Sequence, residues 1–377
     1  MSETLDANKT KKKRIIYLDY LRALAIIAVI LFHIFKRVGF MAVPGYSIMP
    51  SFSWWITDFL GTCCRCGVDI FLMLSGALSL GRDWDIKSFL GKRIPRIVGP
   101  FLFWGILIAI LVLLIPVVYP RSLIIFNDFG FTHFEPITGA WTFLWYLREC
   151  LLGDNKWFGQ YWFFWMILGT YLIMPIFNRW LKGASMKEVE YFLVLWLITC
   201  IFEKSVLWQF PVRLTYFAGP IGMVVVGYYL RHTDREVFTS LRNSIIILLI
   251  GMVSAMITSY FWSSPNEIYY FSRYSIFVAL ESIGLFLVYR NIDTKKMDIF
   301  QNKDGFLRKS SFTIAKYSYG IYLIHLFILH LLMIVFLPHL PYPVTVVLLF
   351  VGTLGLSIVV MAIFNRIPYV NKVIGAK

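Results

Sequence analysis

Ten apolar runs, each long enough to cross the hydrocarbon core of a bilayer, leave this chain of 377 residues few ways to fold. They cover roughly 15–35, 54–80, 97–119, 161–178, 190–206, 214–230, 244–262, 268–289, 313–335 and 343–364. Lipid offers no hydrogen bonds, so a spanning segment must satisfy its backbone internally, and long continuous apolar runs do so as helices. The expected fold class is all-α, a polytopic membrane helix bundle of about ten transmembrane helices. Composition agrees: 59% of residues are hydrophobic, and the mean hydropathy is +0.70.

The runs divide the chain into a Lys-rich tail at 1–14, a membrane domain at 15–364 and a short tail at 365–377. Ten spans put both tails on one side. Of the 36 Lys and Arg, 25 fall in those tails and in the loops on the same side. The positive-inside bias then makes both termini cytoplasmic, with the first tail interacting with anionic membrane lipid. A net charge of +15 at pH 7 raises the question of nucleic acid. The charge is spread over short loops between apolar runs, so no nucleic-acid partner is expected.

The stretch RIIYLDYLRALAIIAVILFHIF, Arg14 to Phe35, is apolar enough to insert yet carries Asp19, Arg22 and His33. Ionisable groups within spans are costly and mark functional pathways by default. Arg22 and His33 stand eleven residues apart. On a helix that is about three turns plus 20°, with a rise of about 16 Å, so both share one face at different depths. Asp19, three residues before Arg22, lies near the same face. With cytoplasmic termini, Arg22 sits in the inner half of the membrane and His33 near the outer end.

Other spans carry polar groups. The second contains Cys63, Cys64, Arg65 and Cys66, then Asp69, Ser75 and Gly76. Asp69 reads equally as a structural partner for Arg65, or a contact between helices, and as an orienting carboxylate for His33. The cysteines are too closely spaced for a zinc pair, and no metal is expected. Cys150 is positioned either to bridge to one of the three or to pack as a thiol. Lys92, Arg93 and Arg96 precede the third span, as ordinary positive-inside charge or as a phosphate clamp. The aromatic-rich second half of the loop 120–160 reads as an interfacial aromatic belt or as a sugar-stacking platform, with 138–152 either an amphipathic helix on the outer surface or a re-entrant segment. Glu281 lies mid-span in the eighth run, eight residues from Arg273 and off its face. The run Lys316–His330 holds Tyr322, His325 and His330; the two histidines are five apart and do not share a helix face, which argues against a helical two-His metal site.

Five segments, in this order, resemble the membrane acyltransferase-3 family, in particular its surface-polysaccharide O-acyltransferase branch. They are Arg22-x10-His33, the run from Gly67 to Leu80 with its Ser-Gly pair, KRIPRIVGPFLFW, the Trp162-Phe163 opening with TYLIMP, and SYGIYLIH. The resemblance implies transfer of an acyl group, usually acetyl, from cytosolic acyl-CoA to a hydroxyl of an extracytoplasmic glycan or lipid-linked sugar. It implies a catalytic set of His33 as general base, Arg22 at the inner face and Asp19 holding Arg22 in place, with Arg93, Arg96 and Lys92 on the donor phosphates. Asp69, Ser75, Trp162, Glu281, Tyr322 and His325 are expected to line the site. Acetyl-CoA is the implied co-substrate, and a multi-pass protein of the cell membrane the implied setting. A histidyl-acyl intermediate is the less favoured variant. The rival class is a transporter or flippase for polysaccharide or lipid-linked sugar. Such proteins often show internal repeats, and none is evident between 1–190 and 191–377.

Overall fold

Helix α1, Ile16–Met41, is the most enclosed of the candidate spans. In this computed structural model, which describes residues 14–41, 52–118, 140–154, 156–204, 219–263, 272–294, 302, 305–336 and 340–376, twelve further helices follow it. They are α2 Phe52–Cys63, α3 Gly67–Ser79, α4 Ile86–Val118, α5 Ala140–Leu152, α6 Trp162–Gly183, α7 Met186–Lys204, α8 Pro220–His232, α9 Glu236–Thr239, α10 Leu241–Trp262, α11 Ile276–Thr294, α12 Phe306–Phe336 and α13 Tyr342–Phe364. Among the described residues there is no strand. The all-α expectation holds.

Seven stretches are long and apolar enough to cross a membrane: 16–37, 54–79, 86–115, 157–183, 241–262, 306–336 and 343–364. The other three expected spans, 190–206, 214–230 and 268–289, fall on α7, α8 and α11, which do not meet that measure among the described residues. Residues 205–206, 214–218 and 268–271 of those spans lie outside the described residues, as do the tail before Arg14 and positions 119–139 of the long loop. The segment expected to be amphipathic is α5, with Trp141 and Trp145 exposed and Tyr146 and Cys150 buried. No disulfide joins the cysteines.

α1 packs against α2, α3, α11, α12 and α13. Leu21, Ala25, Ile26, Ile30 and Ile34 are wholly enclosed by these neighbours. Small residues set how close the helices come, because lipid tails compete with any larger apolar contact and close van der Waals packing must supply the difference. A Cβ on Gly67 of α3 would stand 2.7 Å from the Ala25 carbonyl oxygen of α1. The α3–α8 pair is tighter: a Cβ on Gly76 would lie 1.8 Å from the Val224 carbonyl oxygen, and one on Gly227 would lie 2.0 Å from that of Met73. Backbone meets backbone at both points.

The second expected span is two helices rather than one. After Cys63 the chain makes a turn through Cys64, Arg65 and Cys66 before α3 begins. The Arg65 amide bonds to the Thr62 carbonyl at 3.1 Å and the Ile70 amide to the Cys66 carbonyl at 3.0 Å, so the backbone stays largely satisfied through the break. Irregular backbone at membrane depth is tolerated where it is packed in protein or borders a water-filled space. α4 starts earlier than expected, at Ile86, where the Asp85 carboxylate accepts the Ser88 amide at 3.1 Å as an N-cap.

Residues 365–376, the expected tail, turn back against the bundle through a short 3-10 turn at Val370–Lys372. Ile374 is fully buried, and its carbonyl accepts the Trp104 indole N–H of α4 at 3.1 Å. Gly375 has φ +83, a left-handed conformation that suits glycine.

Replacing Gly227 by Val should drive a side chain into the Met73 backbone. We expect the purified variant to lose several degrees of thermal midpoint in detergent, whereas Gly91→Ala, at a position open for 4 Å around, should leave the midpoint unchanged. Equal midpoints for the two variants would refute the backbone contact.

Candidate active site

Two cavities border α1, one at each end. The larger, about 660 Å³, is lined by Arg22, Ser75, Arg93, Arg96, Tyr171, Lys316, Tyr319, Tyr322, Asn371 and Lys372 among others. The smaller, about 480 Å³, is lined by Phe32, His33, Lys36, Arg37, Cys64, Arg65, Trp162, Arg273 and Tyr322 among others. The one-face relation of Arg22 and His33 thus becomes an address for each: Arg22 opens into the first cavity and His33 into the second. Tyr322 of α12 lines both and stands between them.

Five cations reach the Arg22 cavity from four elements, and no carboxylate is among its lining residues. Arg22 is held by Asp19, 3.4 Å away and one helical turn earlier; Arg14 reaches the other oxygen of that carboxylate. Asp19 is itself buried and lines neither cavity, so it steadies the guanidinium from behind. Arg93 donates to Ser79 Oγ at 2.7 Å and faces the rings of Phe89 and Tyr171, which fixes its side chain across the end of α3. Lys92 is exposed and lines neither cavity; successive helical residues diverge by about 100°, so it cannot share the face of Arg93. Arg82, in the connection after α3, has its pKa pushed down by burial and by the neighbouring charges of Arg231 and Arg93. Ser75 faces the cavity while its hydroxyl donates to the Phe71 carbonyl at 3.0 Å. The fold-back after α13 contributes Asn371, Lys372, Gly375 and Ala376.

The wall between the cavities is tightly specified. Tyr322 Oη donates to the Gln160 carbonyl at 2.9 Å, and Gln160 Nε2 donates to the Leu323 carbonyl at 2.9 Å. This reciprocal pair clamps the 3-10 turn Lys156–Tyr161 onto α12, and Phe163 packs on the Tyr322 ring at 4.7 Å.

The His33 ring, which lines the second cavity, lies 5.2 Å centroid to centroid from the ring of His325, which is fully buried and lines neither cavity. His325 Nδ1 is 2.7 Å from the Tyr322 carbonyl, which can only accept. Nδ1 therefore carries the proton, and Nε2 is left as an acceptor, buried and without a hydrogen-bond partner among the described residues. Trp162 lies under Arg273, whose guanidinium carbon stands 3.5 Å from the ring centroid.

Not all expected residues meet here. Asp69 and Glu281 are fully buried but line neither cavity. Neither carboxylate oxygen of Asp69 has a hydrogen-bond partner among the described residues, and Glu281 lies beside Cys66. His330 packs edge-on to Trp157 at 5.1 Å. No group of three or more metal-binding side chains occurs among the described residues. The residues the sequence did not single out for a site are Lys316 and Lys372 in the first cavity, and Lys36, Arg37, Arg65 and Arg273 in the second. All but Lys372, which lies in the tail eight residues past the last run, share the signal of a basic side chain within or just beyond an apolar run.

A family model for an acyltransferase domain matches residues 15–362. The match takes in every residue that lines the His33 cavity, and all of the Arg22 cavity except the fold-back. No curated protein and no solved structure matches the chain. A helical bundle with several apolar spans, matched over this length, belongs to the acyltransferase-3 family of membrane acyltransferases.

Proposed function

We propose that the protein moves an acyl group, acetyl in the simplest case, from acyl-CoA on the cytoplasmic side of the cell membrane to a hydroxyl of a glycan or lipid-linked sugar on the outer side. The observation that carries this reading is the pair of cavities at opposite ends of α1, one with five cations and one with His33, separated by Tyr322. The positive-inside bias supports cytoplasmic termini, which puts the Arg22 cavity toward the cytosol.

The donor fits the chemistry of the first cavity. Its phosphates need several cations, and Arg offers bidentate hydrogen bonds to them. Arg22, Arg93, Arg96, Lys316 and Lys372 supply these charges, and a volume of about 660 Å³ lies within the usual range for cofactor pockets. The thioester end of the donor then reaches past Tyr322 toward the second cavity, where the acceptor arrives from outside.

His33 takes the proton from the acceptor hydroxyl as its oxygen bonds to the thioester carbonyl carbon. The tetrahedral adduct collapses with cleavage of the carbon–sulfur bond, and the CoA sulfur receives the proton back from His33. An imidazole suits both halves of this exchange because a ring nitrogen can accept the hydroxyl proton and then donate it to the leaving sulfur. His325 packs its ring against that of His33 and helps to hold it in place.

His33→Ala should still bind acetyl-CoA saturably, while acceptor-dependent release of CoA falls by about 10²–10⁴. A variant turning over close to the wild-type rate would remove His33 from the mechanism. For donor binding, Arg93→Gln and Lys372→Gln should each raise the acetyl-CoA Kd by about tenfold or more, the loss expected of one charge-assisted hydrogen bond. Lys92→Gln should leave it unchanged. Equal effects at positions 92 and 93, measured by calorimetry or equilibrium dialysis, would contradict the cavity assignment.

A further inference from the structure

The cavity around His33 carries more charge than a neutral sugar requires. Lys36, Arg37, Arg65 and Arg273 all line it, and no carboxylate does so among the described residues. Under the proposed orientation this is the side of the membrane on which Lys and Arg are scarce, so the positive-inside bias does not account for them. Like charges gathered at one cavity repel each other, and an arrangement of this kind becomes favourable when an anion occupies its centre.

The local geometry points the same way. Aromatic faces hold two of the guanidinium groups: Arg273 lies 3.5 Å over Trp162, and Arg65 lies 4.7 Å over Phe32. A stacked guanidinium keeps its N–H donors in its own plane, available at the edge. Arg273 Nη1 is buried and has no hydrogen-bond partner among the described residues. The break between α2 and α3 brings Arg65 to the cavity wall and starts α3 beside it, so the positive end of that helix lies at the same site. Asp69 on α3 attracts Arg273 and Arg65 from behind, and Glu281 lies nearby on α11, but neither carboxylate lines the cavity; one carboxylate against four cations leaves the cavity positive.

We infer that the acceptor is anionic: it bears an oxyanion, phosphate or carboxylate, close to the hydroxyl that receives the acyl group. Arg273 and Arg65 grip that oxyanion, Lys36 and Arg37 add to the field at the mouth, and the hydroxyl is thereby held at His33. This rests on the acyl-transfer reading and adds the substrate class to it.

The test uses the purified full-length chain in detergent, with three acceptors of similar size: a neutral oligosaccharide, its uronic-acid counterpart and a sugar phosphate. Acceptor binding without donor, acetyl-CoA binding, and CoA release are measured separately. The expected result is a kcat/KM for one or both anionic acceptors about tenfold or more above the neutral one, carried mainly by KM. The carboxylate and phosphate arms show which oxyanion is read. Arg273→Gln should shrink the preference to less than about threefold with the acetyl-CoA Kd unchanged, and Arg65→Gln should reproduce this should the first variant fail to fold.

Turnover with equal kcat/KM for neutral and charged acceptors would overturn the inference while leaving acyl transfer intact. So would a preference unaffected by both substitutions. A charge preference that follows a dicarboxylic acyl donor, with neutral acceptors used equally well, would assign the cations to the donor's distal carboxylate and overturn it too. Anionic acceptors that bind through Arg273, with no acetyl-CoA binding and no CoA release, would overturn the acyl-transfer reading but keep the anion site. Absence of acceptor binding and of turnover would remove both.

Discussion

Hydrocarbon solvates neither a guanidinium nor an imidazole, so an ionisable group in the bundle is costly where it neither meets a partner nor opens to a cavity. That cost sorts the buried polar residues of this chain into two sets. Arg22, His33, Arg65 and Lys316 line cavities. Asp19 backs Arg22, Asp58 of α2 accepts the Ser259 hydroxyl of α10, and Asp69 and Glu281 are closed into the packing between α3 and α11. A charge on a span is therefore not by itself a sign of chemistry. What separates the two sets is whether the neighbouring helices leave space at that level.

The space comes from close packing elsewhere. Gly76 and Gly227 draw α3 and α8 into backbone contact, and Gly67 does the same for α3 against α1. With α3 fixed at these points, the turn at Cys64–Cys66 carries Arg65 to one cavity while Ser75, three turns deeper, faces the other. A single helix broken at one end thus serves both sites. The clamp of Tyr322 and Gln160 does similar work for α12 and the turn before α6.

Much of the architecture was legible in the chain because hydropathy is local: runs such as 343–364 announce themselves without reference to any neighbour. So was the common face of Arg22 and His33, which depends only on helical periodicity. Three things were not. The break at Cys64–Cys66 lies inside an apolar run with no Pro at the turn, and nothing local marks it. The convergence of Lys36, Arg37, Arg65 and Arg273 involves α1, the break after α2 and the turn before α11, and a sequence read one segment at a time gives no account of which helices adjoin. The same ignorance of neighbours left Asp69 and Glu281 beside His33 as candidates, when the packing encloses them away from both cavities.

The shared wall at Tyr322 has an electrical meaning. With the cavities open to opposite sides of the membrane, as proposed, each takes up the solution on its own side, and Tyr322 with its clamp lies between them. The part of the membrane potential that falls between the two solutions is then concentrated at this wall. Each elementary charge that crosses it does work against about 2.3 kcal/mol per 100 mV. With the thioester sulfur brought past Tyr322 to His33, as proposed, the proton changes carrier without crossing the wall, and the neutral thiol withdraws with no work against the potential.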